Sequence, residues 1–162
     1  MRCKLIKPVI GALLATVMLV SGCISPAQEQ VTKGDNFLKQ KQWEDAIIAY
    51  TKAIEIDPNN AVAYNQRGLA YMYQVKPVDK MLEDFNKAIE LDSRFAMAYY
   101  NRGTVYDSKG DYDKAIADFT RVIELSPKFT EAYALRGFAY NQLGNFVKAK
   151  ADFGKAKELG WK

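Results

Sequence analysis

The residues best suited to polar chemistry in this sequence fall into two recurring sets. Arg67, Arg102 and Arg136 each stand one place before a glycine, and Asp84, Asp118 and Asp152 each stand one place before a phenylalanine. A guanidinium facing a carboxylate makes a bidentate ion pair. A row of arginines without acids would instead hold an anion. An earlier stretch in the same register carries Lys33 and Ala49 at the two positions. Arginine and aspartate are missing there together, so we expect each Arg to pair with the Asp of its own unit. The six residues are assigned a structural role, and the anion-binding row is the alternative. Other chemistry is sparse. There is no histidine, the commonest general base and metal ligand. The two cysteines, Cys3 and Cys23, lie within the first 23 residues, which excludes a disulfide framework or zinc site in the rest of the chain. No glycine-rich phosphate loop is present, and the acids recur at solvated helix positions. The expectation is no catalytic residue, no metal and no dissociable cofactor.

The elements that must position these pairs repeat. Gly34, Gly68, Gly103 and Gly137 are spaced 34, 35 and 34 residues apart, and Tyr50, Phe85, Phe119 and Phe153 are spaced 35, 34 and 34 apart. Apolar residues within each unit follow i, i+3, i+4, i+7 spacing, so each unit reads as two amphipathic helices around a turn. A helix pair is too thin to bury its own apolar face, so neighbouring pairs must stack. Four units are expected, at about 27–60, 61–94, 95–129 and 130–162. A one-residue insertion falls near Val75-Lys76-Pro77. Asp57-Pro58 is expected to open the second unit, as cap and first helical residue. Ile47, Leu82 and Ile116 share one register position, and Ile54, Ile89 and Ile123 another; the last unit has Lys150 and Lys157 there. A face that turns from apolar to cationic reads as a terminal cap, so the array is expected to be complete at four.

The first 26 residues differ in kind. Met1 to Lys7 is basic, and Pro8 to Val20 is a 13-residue apolar run, the two parts of a secretory signal and too short to span a bilayer comfortably. Leu19-Val20-Ser21-Gly22-Cys23 resembles the bacterial lipobox. The resemblance implies cleavage before Cys23, removal of residues 1–22, and acylation of Cys23. Residues 23–26 would be a lipidated N-terminus and short tether. Ser25-Pro26-Ala27-Gln28 reads as a helix start, so the repeats would sit close to the headgroups. The net charge of +4 belongs to this leader: Arg2, Lys4 and Lys7 precede Cys23, leaving 20 basic residues against 19 acidic ones. No basic stripe remains for nucleic acid.

Across 27–161, the glycine, alanine, aromatic and proline positions resemble those of the tetratricopeptide-repeat family. The resemblance implies an all-α, right-handed α-α superhelix of four helix–turn–helix repeats. Its first helices line a concave groove that receives an extended peptide or a partner's helix. Carried over position by position, the groove would present Val62, Asn65, Gln66, Leu69, Met72 and Tyr73, then Met97, Tyr100, Asn101, Thr104 and Asp107, then Glu131, Leu135, Phe138 and Asn141. Of these, Asn65, Leu69, Met72, Tyr73, Met97, Tyr100, Asn101, Thr104, Leu135, Phe138 and Asn141 are assigned as the protein-binding set. One branch of the family clamps a chaperone's C-terminal carboxylate with lysines and asparagines. In this chain the corresponding positions are Val31, Asp35, Gln66, Met97 and Asn101 on repeats 1–3, or Asn65, Leu69, Asn101, Glu131 and Leu135 on repeats 2–4, without the cations in either frame, so a carboxylate clamp is not expected.

The combined expectation is a non-enzymatic, lipid-anchored scaffold of the bacterial cell envelope that binds other envelope proteins or their peptide segments. If the host has two membranes, Ile24 after the lipidated cysteine implies the periplasmic face of the outer one. A pilotin-like assembly factor for a pilus or secretin is the runner-up. A small-ligand-binding or enzymatic envelope protein is the rival from another class.

Overall fold

The computed structural model describes residues 24–74 and 77–162. The expected signal peptide and Cys23 lie outside the described residues, as does part of the insertion, Val75 and Lys76. Among the described residues there are eight helices and no strand: α1 (Pro26–Lys39), α2 (Trp43–Ile56), α3 (Ala61–Tyr73), α4 (Val78–Leu91), α5 (Ala96–Ser108), α6 (Tyr112–Leu125), α7 (Thr130–Gln142) and α8 (Phe146–Glu158). The Ser25 side chain caps α1 by accepting from the Gln28 N–H at 3.1 Å, with Pro26 opening the helix. A pyrrolidine costs nothing at that position, where the N–H would have no helical partner.

The turn inside repeats 1, 3 and 4 is a Schellman stop. In repeat 3 the Gly110 N–H donates to Asp107 O at 2.9 Å and the Asp111 N–H to Tyr106 O at 2.9 Å, with Gly110 at φ +78°. Lys41 fills the equivalent place in repeat 1 at φ +59° and makes the same pair of bonds, to Leu38 O and, through Gln42, to Phe37 O. An L side chain in this left-handed region costs about 1–2 kcal/mol, which the two backbone bonds offset.

Each helix packs antiparallel on the next, and each first helix also touches the first helix of the following repeat (α1 on α3, α3 on α5, α5 on α7). No such contact joins successive second helices. A stack held together more closely along one side must curve, and the first helices therefore lie on its inner face.

One aromatic ring fills each of the first three repeats. Tyr50, Phe85 and Phe119 are all fully buried, each lying against the glycine of its first helix. A Cβ at Gly34 would stand 2.4 Å from Tyr50 Cε1, well inside van der Waals contact. Alanine is the better helix former by about 1 kcal/mol, yet Tyr50 cannot withdraw. It is enclosed, and its hydroxyl donates to Asp35 Oδ1 at 2.7 Å. Gly34→Ala is therefore expected to lower stability by about 1–3 kcal/mol, the usual cost of overpacking, as read by urea denaturation. A stabilised variant would show that the ring is free to move.

The expectation for Asp57-Pro58 is corrected. Asp57 closes α2, its N–H donating to Ala53 O at 2.9 Å, and its carboxylate accepts from the Asn59 N–H at 3.1 Å. Asn60 caps α3 instead, accepting from the Ala63 N–H at 2.9 Å. The two-residue turn through Pro58 and Asn59 lets α3 fold back onto α2; a helix starting at Pro58 would have overshot it.

Candidate protein-binding groove

The three arginines and three aspartates form three equivalent joints. Arg67 Nε and Nη2 donate to Asp84 Oδ2 and Oδ1, both at 2.8 Å. Arg102 makes the same fork to Asp118 at 2.9 and 2.7 Å, and Arg136 to Asp152 at 2.8 and 2.8 Å. The aspartates are buried, so the fork supplies the partner that a desolvated carboxylate requires. Hydrogen bonding to these carboxylates also raises the guanidinium pKa of all three.

The third arm goes elsewhere. Nη1 of Arg67, Arg102 and Arg136 donates to Thr51 Oγ1 at 3.2 Å, Asn86 Oδ1 at 2.7 Å and Thr120 Oγ1 at 3.0 Å. These acceptors belong to the second helix of the preceding repeat. Each arginine thus fastens its own repeat and joins it to the one before. Nε, Nη1 and Nη2 of each arginine all donate within the fold, and a buried carboxylate already neutralises each guanidinium, which argues against an anion-binding row. The signal for this inter-repeat arm was present in the sequence, since Thr51, Asn86 and Thr120 share one register position. Lys33, at the arginine position of α1, pairs with Glu29 at 3.2 Å.

The inner face has a polar floor. Asp35 Oδ1 accepts from Tyr50 OH at 2.7 Å and from Gln66 Nε2 at 3.1 Å. Asn65 Nδ2 donates to Gln66 Oε1 at 3.1 Å, and Asn101 Nδ2 to Asn65 Oδ1 at 2.9 Å. The chain of bonds crosses α1, α3 and α5. It ends at α7, where Leu135 takes the register position of Asn101. Burial, and then Asp35, push the Tyr50 hydroxyl pKa well up, so it stays a donor.

This floor corrects part of the expected binding set. Asn65 and Asn101 are 1% and 5% exposed, and their amides are engaged with each other. They shape the groove and are not free to meet a partner. Thr104 is half-buried, and its hydroxyl donates to Tyr100 O at 2.9 Å. Leu69, Met72 and Leu135 are half-buried, and Met72 packs against the cluster of Met81, Phe85 and Val105. Tyr100 is half-buried, with its ring centroid 6.2 Å from Phe119 and 5.0 Å from Phe129.

Three apolar groove residues are left open, one on each of α3, α5 and α7; Val62 and Met97 share a register position and Phe138 does not. Val62, Met97 and Phe138 are 47%, 42% and 43% exposed. Tyr73 is exposed and stacks on Trp43 at 4.9 Å, and Asn141 is exposed at the far end. The charges on the groove positions are all negative: Asp35, Asp107 and Glu131. Burial pushes the Asp107 carboxyl up; burial, and then the charge of Glu131, push the Tyr100 hydroxyl up. The arginines of α3, α5 and α7 point to their aspartates, and Lys33 to Glu29. Among the described residues no group of three side chains could hold a metal ion, and no helix is long and apolar enough to cross a membrane.

Known proteins resemble the chain along most of this length. Models described as tetratricopeptide repeat or TPR repeat match residues 34–75, 96–129 and 130–159. The crystal structure of MamA superposes with a TM-score of 0.77 at 31% identity, over 83% of this chain and 78% of that one. The first TPR domain of Spaghetti (RPAP3), bound to the HSP90 peptide SRMEEVD, superposes with a TM-score of 0.70 at 30% identity, over 73% and 93%. Serine/threonine-protein phosphatase 5 of Homo sapiens is 41% identical over 51 residues, 32% of this chain but only 10% of that protein's length.

Proposed function

The chain belongs to the tetratricopeptide-repeat family, and from that premise we propose that it is an adaptor holding an extended segment of another protein against the inner face of its first helices. The observation that carries this reading is the set of exposed apolar side chains, Val62, Met97 and Phe138, one on each of α3, α5 and α7, set among Asp35, Asp107 and Glu131 with no cation on the groove positions. Apolar anchors give contact area, and Met and aromatic side chains adapt to more than one shape. Carboxylates at the rim select charge. The segment that fits is apolar at intervals and carries lysine or arginine. The acidic peptide held by the RPAP3 domain is the wrong sign for this groove.

The leader adds a location. A lipid on Cys23, close before α1, would hold the repeats at a membrane of the bacterial envelope, and the partner would be an envelope protein. The helix start at Pro26 supports a short tether.

Two measurements test the reading. In a peptide-display selection, basic and apolar sequences are expected to be enriched, and Asp107→Lys with Glu131→Lys to weaken them about 10-fold, as charge reversal beside a bound cation does. Enrichment of acidic sequences would sink the groove assignment. In cells, labelled palmitate should enter the wild-type chain and not a Cys23→Ser variant; equal labelling would remove the anchor.

A further inference from the structure

The outer face of α8 differs from those of α2, α4 and α6, and it is open. In the interior joints a second helix seats the first helix of the following repeat on an apolar row. Ile47 is buried with Ala63 and Ala70 of α3, and Ile54 packs alongside. Leu82 packs in one cluster with Val105 of α5. Beside that row, Thr51, Asn86 or Thr120 receives an arginine. On α8 the same positions are Lys150, Gly154 and Lys157.

The seat keeps its shape while its chemistry changes. A cavity of about 450 Å³ opens on this face, lined by Phe146, Ala149, Phe153 and Gly154 between the two lysines. A Cβ built on Gly154 would meet nothing within 4 Å, so a helix backbone could approach closely there. Phe146 and Val147 are 67% and 84% exposed at its edge. The carboxylates of α8 are already engaged, Asp152 by Arg136 and Glu158 by Lys155. Lys150 and Lys157 have no acidic partner within ion-pair distance among the described residues. They lie seven residues apart, two turns, or about 10.5 Å along the axis.

We propose that this face is a second docking surface, which takes an amphipathic α-helix of another protein in the seat used by α3, α5 and α7 on the preceding repeats. The docked helix carries small residues against Phe146, Phe153 and Gly154, and Asp or Glu two turns apart against Lys150 and Lys157. Charge complementarity selects the occupant. A helix bringing alanine to the lysines, as α3 brings to Ile47 and Ile54, would bury two ammonium groups without partners. One bringing carboxylates pairs them with the two lysines beside the apolar lining of Phe146, Ala149 and Phe153. A second copy of this chain is poorly matched: α1 offers Glu29 and Asn36 at the equivalent positions, and Glu29 is already held by Lys33. Asn141 lines this cavity and also stands at the far end of the inner groove; the groove's exposed Val62 and Met97 lie on earlier repeats.

The probe is a hydrocarbon-stapled peptide of residues 130–142, itself a first helix, carrying Ala132→Glu and Ala139→Glu at its contact row. Binding to the 162-residue chain is read by fluorescence anisotropy. The Glu peptide should bind at least 10-fold more tightly than the same peptide with lysine at those positions. The double variant Lys150→Glu, Lys157→Glu should reverse that preference. Both lysines are exposed, so an unchanged circular dichroism spectrum checks the fold, and peptide binding in the inner groove should be unaffected. Equal binding of the two peptides, or indifference to the lysine reversal, overturns the proposal. So does lysine-dependent binding to phosphatidylglycerol vesicles without peptide preference, which would make the face a membrane contact. Lysine-dependent self-association in sedimentation would make it an interface between copies and likewise overturns the proposal.

Discussion

Phe119→Ala is expected to remove about 3–5 kcal/mol of stability, the range for truncating a buried aromatic ring. Phe119 is fully buried, with one edge on the backbone of Gly103 and Tyr100 close by. Rigid helix backbone on that side cannot collapse into the space, so a cavity remains and the cost falls in the upper part of the range. A stack of near-independent units should respond locally. Repeat 3 sits between two neighbours, and its weakening should separate repeats 1 and 2 from repeat 4 in urea denaturation. Circular dichroism and Tyr and Trp fluorescence would then give transitions that no longer coincide. A loss under about 1 kcal/mol with coincident transitions would show that repeat 3 is not held by this ring.

The second large effect concerns the joint between repeats 2 and 3. Arg102→Ala leaves Asp118, 4% exposed, as a buried carboxylate without its fork, and breaks the arm to Asn86. Removing one partner of a buried pair costs about 3–5 kcal/mol. Asp118→Ala should cost less, about 1–3 kcal/mol, because the guanidinium keeps Asn86 and some access to water, its side chain being 20% exposed. The double variant should then cost clearly less than the sum of the two. The pH dependence has a definite sign. An unpaired buried carboxyl has a raised pKa, so the folded variant binds a proton more readily than the unfolded chain does. Stability of Arg102→Ala therefore recovers as pH falls through that raised value, and its deficit against wild type should be smaller near about pH 5 than near about pH 8. Additive single effects with no change in the deficit would mean that the joint contributes nothing as a unit.

Much of this was legible in the residues because repetition multiplies weak signals. One glycine before a polar turn says little, but four in register, each answered by an aromatic 16 or 17 residues on, specify a close helix crossing. The shared absence of arginine and aspartate in repeat 1 pointed to pairs within a repeat for the same reason. The Ser25-Pro26 start was legible because a cap depends only on its own turn. The entry to α3 was misjudged at Asp57-Pro58 because local capping preference does not include the angle at which a helix must return to its neighbour.

The sequence by itself determined the family, the helix pairs, the glycine–aromatic crossings and the partners of the charged pairs, since each depends on spacing within one unit. Only the tertiary structure decided which polar residues are spent on the fold and which are left for a partner. Asn65 and Asn101 lie in different repeats, and nothing local shows that their amides meet at 2.9 Å. The third arm of each arginine likewise crosses from one repeat to another. Burial and cross-repeat bonding depend on how the units stack and curve. That curvature arises because first helices touch along the inner face and second helices do not.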